Sequence, residues 1–230
     1  MKDDERQQTG AGKMLVMLRD EAFVVLERMI VTGEIAPGEW VSETQLMSLS
    51  GHSRASVRSA MQRLQDQGLL EIFPRRGAQV CPLDFKMQFR SLELRRALEC
   101  LLARAAAERA TPEQRAEFIE IAEGFAAVSL SLDAAAMREL DFRSHALMLD
   151  AADNPFASKA VFSTKGLWRR FWLLHYEKHG DIFRMANLHS AVARAIGEQD
   201  PTRAEAAVHA LLDYVEEFAL KVVGYDKAAK

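Results

Sequence analysis

The sequence predicts a mainly α-helical chain in two parts: an N-terminal winged helix-turn-helix with a small β-hairpin wing, and a C-terminal all-α antiparallel helical bundle. Three features predict it. Two short helices with capping signals follow one another across a tight polar turn. A hairpin-like run centred on Pro74–Gly77 comes directly after them. Beyond Pro82 the segments carry the apolar period of a helix and none carries the alternation of a strand.

The elements follow in order. Residues 1–13 are polar and are expected to be a disordered tail. Over Met14–Thr32, Leu15, Leu18, Ala22, Val25, Leu26 and Met29 recur at helical spacing, and Gly33 stops the helix. Pro37-Gly38 is a turn. Ser42 and Gln45 have the spacing of a capping box and open a short helix that ends at Gly51. Ser53 caps the next, which runs through Val57, Ala60, Met61 and Leu64 and is closed by Gly68. Leu69–Phe73 and Ala78–Cys81 read as the two strands of the hairpin. These elements make up a first domain of residues 14–81.

A second domain, residues 86–224, follows a joint near residues 81–85. Phe85–Ala110 is a long helix rich in Leu and Ala. Five more helices start at Thr111-Pro112, Asp133, Asn154-Pro155, Asp181 and Asp200-Pro201, each an N-cap residue and in three cases a proline at the first helical position.

Composition excludes several classes. The 230 residues carry 30 Lys and Arg against 33 Asp and Glu, a net charge of −3, so the chain is not basic all over. The charge is uneven: residues 51–80 hold five arginines and two acids, a local +3, which leaves −6 on the rest. A content of 49% hydrophobic and 27% charged residues excludes wholesale disorder. Only Cys81 and Cys100 are present, which excludes a disulfide framework and suits a reducing compartment. No apolar run is long enough to span a membrane, and the acidic N-terminus is unlike a signal peptide. A cytoplasmic protein with no membrane partner is expected.

In a helix-turn-helix the second helix enters the major groove, led by its N-terminal residues. Here those include Ser53, Arg54, Ser56 and Arg58. Arg54 and Arg58 lie on one helical face, and arginine pairs bidentately with guanine. Ser53 and Ser56 are expected to donate to phosphates. Arg75, Arg76 and Gly77, in the hairpin turn, are expected to follow the backbone or the minor groove. Together these residues predict a reader of double-stranded DNA. The alternatives are solvated surface arginines, or a winged-helix interaction module that does not bind DNA.

Ile30–Val80 resembles the N-terminal domain of the GntR regulators, through Gly33, Ile35, Pro37-Gly38, Glu43, Leu46, Ser53-Arg54, Val57-Arg58, Ala60, Leu64, Gly68-Leu69, Pro74, Arg76-Gly77 and Val80. Trp40, Val41, Ser56 and Ser59 depart from that pattern.

In the second domain, polar residues interrupt apolar stripes. Asp141 and His145 are four apart on one helix, and His189 sits in the stripe Ile182, Met185, Ala186, Val192, Ala193 and Ile196 of another. A carboxylate and imidazoles suit a borderline divalent ion such as zinc. A lone histidine on an apolar face is more often a hydrogen-bonded core residue, and a metal-dependent enzyme built on the trio is a rival with no accompanying nucleophile. His175 and His179 share chelating spacing, but near a helix end the dipole also favours histidine. Trp168, Phe171 and Trp172 read as core or dimer contacts. Arg143, Arg169 and Arg184 line a pocket or face water.

Residues 86–220 resemble the FCD ligand-binding domain of the FadR-like GntR branch, through Leu94-Arg95, Leu98-Glu99, Asp141, His145, Asn154, His189, Ile196, Asp200 and Ala204. That resemblance implies a metal held by Asp141, His145 and His189, with Arg95 clamping a carboxylate effector. It further implies a homodimeric transcription regulator on a pseudo-palindromic operator, repressing until a small organic acid binds. The third histidine of the family pattern falls on Leu211. His209 is about 200° around the helix from it, on a face with Glu205, Asp213 and Glu216 that reads as solvated, so it is a poor replacement.

Overall fold

The computed structural model describes residues 21–224, apart from the side chains of residues 177–179. The expected tail at residues 1–13 and the start of the first helix lie outside the described residues. So does the side chain of His179, which leaves the His175–His179 pair untested.

The first unit is built from helix α1 (residues 21–32), strand β1 (Trp40–Val41), helices α2 (Glu43–Ser50) and α3 (Arg54–Asp66), and strands β2 (Leu70–Phe73) and β3 (Gly77–Val80). The capping signals act as expected. Ser42 and Gln45 satisfy each other's backbone donors in a full capping box at α2, and Ser53 Oγ accepts from Ser56 N at α3. The sheet is antiparallel in the order β1-β3-β2. β1 is an addition to the expected hairpin, pairing Trp40 with Gln79 and Val41 with Ala78. Leu26, Ile30, Ile35, Leu46, Val57, Leu64, Leu69 and Val80 form the core beneath these elements.

The second region contains α4 (Phe85–Arg109), α5 (Pro112–Ser131), α6 (Ala134–Ala151), α7 (Pro155–His179), α8 (Ile182–Gly197) and α9 (Pro201–Val222). The caps are again the expected ones: Thr111 with Gln114, then Asp133, Asn154, Asp181 and Asp200. α5 packs on α8, α4 on α9, and α8 on α9, with α6 against α4 and α5. Phe118, Ile121, Phe125, Leu102 and Phe218 are fully buried at the centre.

The division between the units departs from the sequence boundary. The first unit comprises residues up to Asp84 together with Phe162–Leu174, the middle of α7. Those turns are fastened to the first core by side chains that no local pattern reveals. Gln67 Nε2 donates to Phe162 O at 3.0 Å, Arg170 Nη1 to Cys81 O at 2.7 Å, and Arg169 pairs with Glu27 at 3.1 Å. Trp168 and Phe171 are buried and belong to the core, while Trp172 is half-buried.

Candidate nucleic-acid interface and effector site

On the first unit, α3 begins at Arg54 and exposes Arg54 and Arg58 on one face, each side chain more than half accessible. Neither arginine is loose. Glu43, at the start of α2, accepts from Arg58 Nε at 2.6 Å and lies 3.9 Å from Arg54 Nε. One carboxylate therefore aligns both guanidinium groups across the helix-turn-helix.

Two expectations change here. Ser56 is buried, and its hydroxyl sits 3.1 Å from Ser53 Oγ. Ser53 spends its side-chain oxygen on the Ser56 amide, so the two serines form the helix cap and Ser56 offers nothing to a phosphate. Arg63, counted in the local positive charge, lays its guanidinium 3.9 Å from the Phe23 ring centre, packed against α1.

In the wing, Arg75 and Arg76 are exposed in the turn between β2 and β3. Arg75 has φ +63° and Gly77 φ +93°. A Cβ at Gly77 would meet the Val41 carbonyl oxygen at 2.6 Å, so glycine is demanded both by the backbone and by the closeness of β1. Trp40 on β1 packs against Phe73, ring centres 4.9 Å apart, and lies beneath Arg76 at 5.4 Å. In the sequence Trp40 stands out only as a departure from the family pattern. Its exposure beside the arginine-bearing turn is what the isolated residue could not reveal.

In the bundle, α4, α5, α6 and α8 bring a second set of groups together. His189 Nε2 lies 3.7 Å from Asp141 Oδ1, and its ring stacks on Phe125 at 5.1 Å. Arg95 donates through Nε to Glu99 Oε1 at 2.8 Å one turn along α4, and Glu99 is 3% exposed. Burial pushes the His189 imidazole below its ordinary value. Asp141 pulls it back up, Arg95 adds to the lowering and Glu99 opposes it. Arg95, Glu99 and Asp141 thus all act on His189. Glu99 and Phe125 are the partners that sequence reasoning did not assign. The i, i+4 spacing of Arg95 and Glu99 was the available signal for the first.

The expected metal trio assembles in part. Two ligand atoms 3.7 Å apart are compatible with one ion. His145, however, does not bring a ring nitrogen within 4.8 Å of both, and the fourth position is filled by Leu211, 3% exposed. Asp141 and His189 are therefore the two expected ligands that the structure brings together. Arg143 pairs with Glu117 at 2.7 Å and Arg184 with Glu217 at 2.6 Å, so both serve surface ion pairs.

Residues 90–214 match the FCD domain family, and residues 18–80 match the bacterial regulatory proteins of the gntR family. The chain belongs to the GntR family and carries an FCD domain. It is 25% identical over 203 residues to the HTH-type transcriptional repressor RspR of Escherichia coli K12, covering 87% of this chain and 88% of the relative. It is 27% identical to the HTH-type transcriptional regulator LutR of Bacillus subtilis 168, covering 82% and 95%. The galactonate operon transcriptional repressor of E. coli K12 is 28% identical, with 82% and 90% covered. Among solved structures, E. coli McbR/YncC superimposes with a TM-score of 0.73 at 17% identity, covering 90% of this GntR chain and 98% of the other. That likeness establishes the fold. The family and these relatives are transcriptional regulators, not enzymes. Among the described residues no helix is long and apolar enough to cross a membrane.

Proposed function

We propose that this GntR chain is a transcriptional repressor that binds a pseudo-palindromic operator as a homodimer and releases it when a small carboxylate enters the FCD bundle. The observation that carries the DNA reading is the pair Arg54 and Arg58, exposed on the leading turns of α3 and aligned by Glu43. Arg75 and Arg76 in the wing turn extend the positive surface. A two-fold protein reads a two-fold site. Leu94 and Leu101, two turns apart on α4 and 45% and 49% exposed, offer an apolar strip that self-association would cover. The names of RspR and the galactonate relative support repression.

The effector reading rests on Arg95. Its planar fork is suited to a carboxylate, and it already holds one, that of Glu99. An incoming carboxylate competes with Glu99 beside His189 and Asp141. The exchange redistributes charge within α4, α6 and α8 and biases the population competent for DNA. A zinc-type ion at Asp141, His145 and His189 is not needed for this step.

The deciding experiment measures affinity for the upstream region of the protein's own gene at fixed salt, for the parent and the Arg54→Ala, Arg58→Ala double variant. A large loss is expected. Unchanged affinity overturns the DNA reading in favour of an interaction module. A thermal-shift screen with short mono- and dicarboxylates tests the effector reading separately, since a ligand raises stability by mass action.

A further inference from the structure

The face of α9 that bears His209 packs more closely on α4 than the sequence implies. Cys100 on α4 faces Glu205 and His209, which are four apart on α9. Cys100 Sγ lies 3.5 Å from His209 Nε2. One ligand atom from each of the three residues lies within 4.8 Å of the others, the only such trio of potential metal ligands among the described residues. We propose that Cys100, Glu205 and His209 form a site for a zinc-type divalent cation, separate from Asp141 and His189.

The geometry suits one ion. A tetrahedral zinc with ordinary bonds to sulfur and nitrogen holds those two atoms about 3.6 Å apart, so the observed separation needs almost no adjustment. The Glu205 carboxylate, within 4.8 Å of both, supplies the third ligand by a side-chain adjustment. It is held nearby by Arg104 at 3.3 Å. A thiolate, an imidazole and a carboxylate select a borderline ion over magnesium or calcium, which prefer oxygen alone. His209 is exposed and Cys100 buried. The ion therefore has an entry path from solvent and a fourth position open to water, the arrangement of a three-ligand site.

The surroundings set how binding responds to pH. Burial, then Glu205 and Glu99, hold the Cys100 thiol above its ordinary value, against the lowering pull of Arg96. A cation takes the sulfur as thiolate, so binding expels the thiol proton and tightens as pH rises. Arg96 Nη1 lies 3.3 Å from His209 Nδ1. Guanidinium only donates, so without metal Nδ1 accepts and the ring hydrogen sits on Nε2, aimed at Cys100. Metal on Nε2 shifts that hydrogen to Nδ1. Arg96 then turns to Asp213 and Glu216, already 2.8 and 3.5 Å away. The ion would tie α9 to the turn of α4 that also carries Arg95 and Glu99.

Cobalt(II) titration of the full chain, stripped of metal and kept reduced, tests the site, because a thiolate ligand gives cobalt a near-ultraviolet charge-transfer band. One equivalent is expected to produce the band, and zinc to abolish it by displacement. Only Cys81 and Cys100 can supply a thiolate. Cys81→Ser should keep the band and Cys100→Ser remove it. His209→Ala and Glu205→Gln, both changes at accessible side chains, should weaken cobalt binding about tenfold or more, with circular dichroism matching the parent. His189→Ala should leave the band unchanged. Absence of the band in the parent, its survival in Cys100→Ser, or indifference to His209→Ala overturns the proposal.

Discussion

Arg58 Nε donates to Glu43 Oε1 at 2.6 Å, linking the first turn of α2 to the first turns of α3. The pair is exposed on the arginine side, so its contribution to folding is small. Its consequence is directional. A guanidinium fixed at Nε keeps its two terminal nitrogens free to face a base edge, and the same carboxylate restrains Arg54.

Removing Arg58 should therefore cost more than removing a phosphate contact. Arg58→Ala is expected to lower operator affinity roughly ten- to hundredfold, mostly at the base it reads. Glu43→Gln should act oppositely on unrelated DNA. It deletes a negative charge beside the phosphates, so non-specific affinity rises while the ratio of operator to non-specific binding falls. Fluorescence anisotropy on both duplexes over a salt series checks this. Equal losses on both duplexes for Arg58→Ala would make it a backbone contact.

Gly77 is fixed by two demands at once, its φ of +93° and the Val41 oxygen 2.6 Å from any Cβ. Gly77→Ala should cost about 1–3 kcal/mol of stability and detach β1 from the wing. Gly38 provides the control, since its φ is +84° but nothing lies within 4 Å of a Cβ. Gly38→Ala should cost less, about 1–2 kcal/mol. The difference between the two, measured by denaturant unfolding, isolates the steric part.

Much of this architecture is legible in the sequence because its signals are local. The Ser42–Gln45 and Thr111–Gln114 boxes and the caps Ser53, Asp133, Asn154, Asp181 and Asp200 mark their helices within three residues of the first turn. What escaped depends on distant partners. Trp40–Val41 is too short to read as a strand until β3 lies beside it. Ser56 sits on the leading turn of α3, but which way its hydroxyl points is set by the Ser53 cap. The helical wheel correctly groups His209 with Glu205, Asp213 and Glu216. It cannot tell that α4 runs alongside and puts Cys100 and Arg96 against that face. Asp141 and His189 were paired by chemistry and do meet, whereas His145, assigned by the same reasoning, does not complete the trio.

Arg95 and Glu99 make a pair in which the carboxylate is buried and the guanidinium about one-fifth accessible. Arg95→Ala leaves Glu99 without its Nε donor and should destabilise the chain by about 2–3 kcal/mol, below the cost for a fully buried pair. Glu99→Gln keeps the shape and removes the competing charge. It should raise affinity for whichever short carboxylate shifts the melting temperature of the parent, because Arg95 no longer has to give up a charged partner. If Glu99→Gln instead weakens that ligand, Glu99 belongs to the binding set and competes with nothing.

His189 ties stability to pH. Burial favours its neutral form in the folded chain, so the folded value lies below that of the unfolded one. Above the unfolded value, about 6.5, both states are neutral and the group contributes its full stability. As pH falls below that value the unfolded chain takes up a proton that the folded chain refuses, and stability declines until the folded value is passed. His189→Gln removes this proton while keeping a polar side chain near Asp141. Its unfolding free energy should fall less steeply than that of the parent between about pH 6.5 and pH 5, whatever its stability at neutral pH. Denaturant unfolding across that range measures both slopes. Parallel slopes would mean that the histidine takes up its proton alike in both states, Asp141 cancelling the effect of burial, and a steeper fall in the variant would mean that Asp141 outweighs burial.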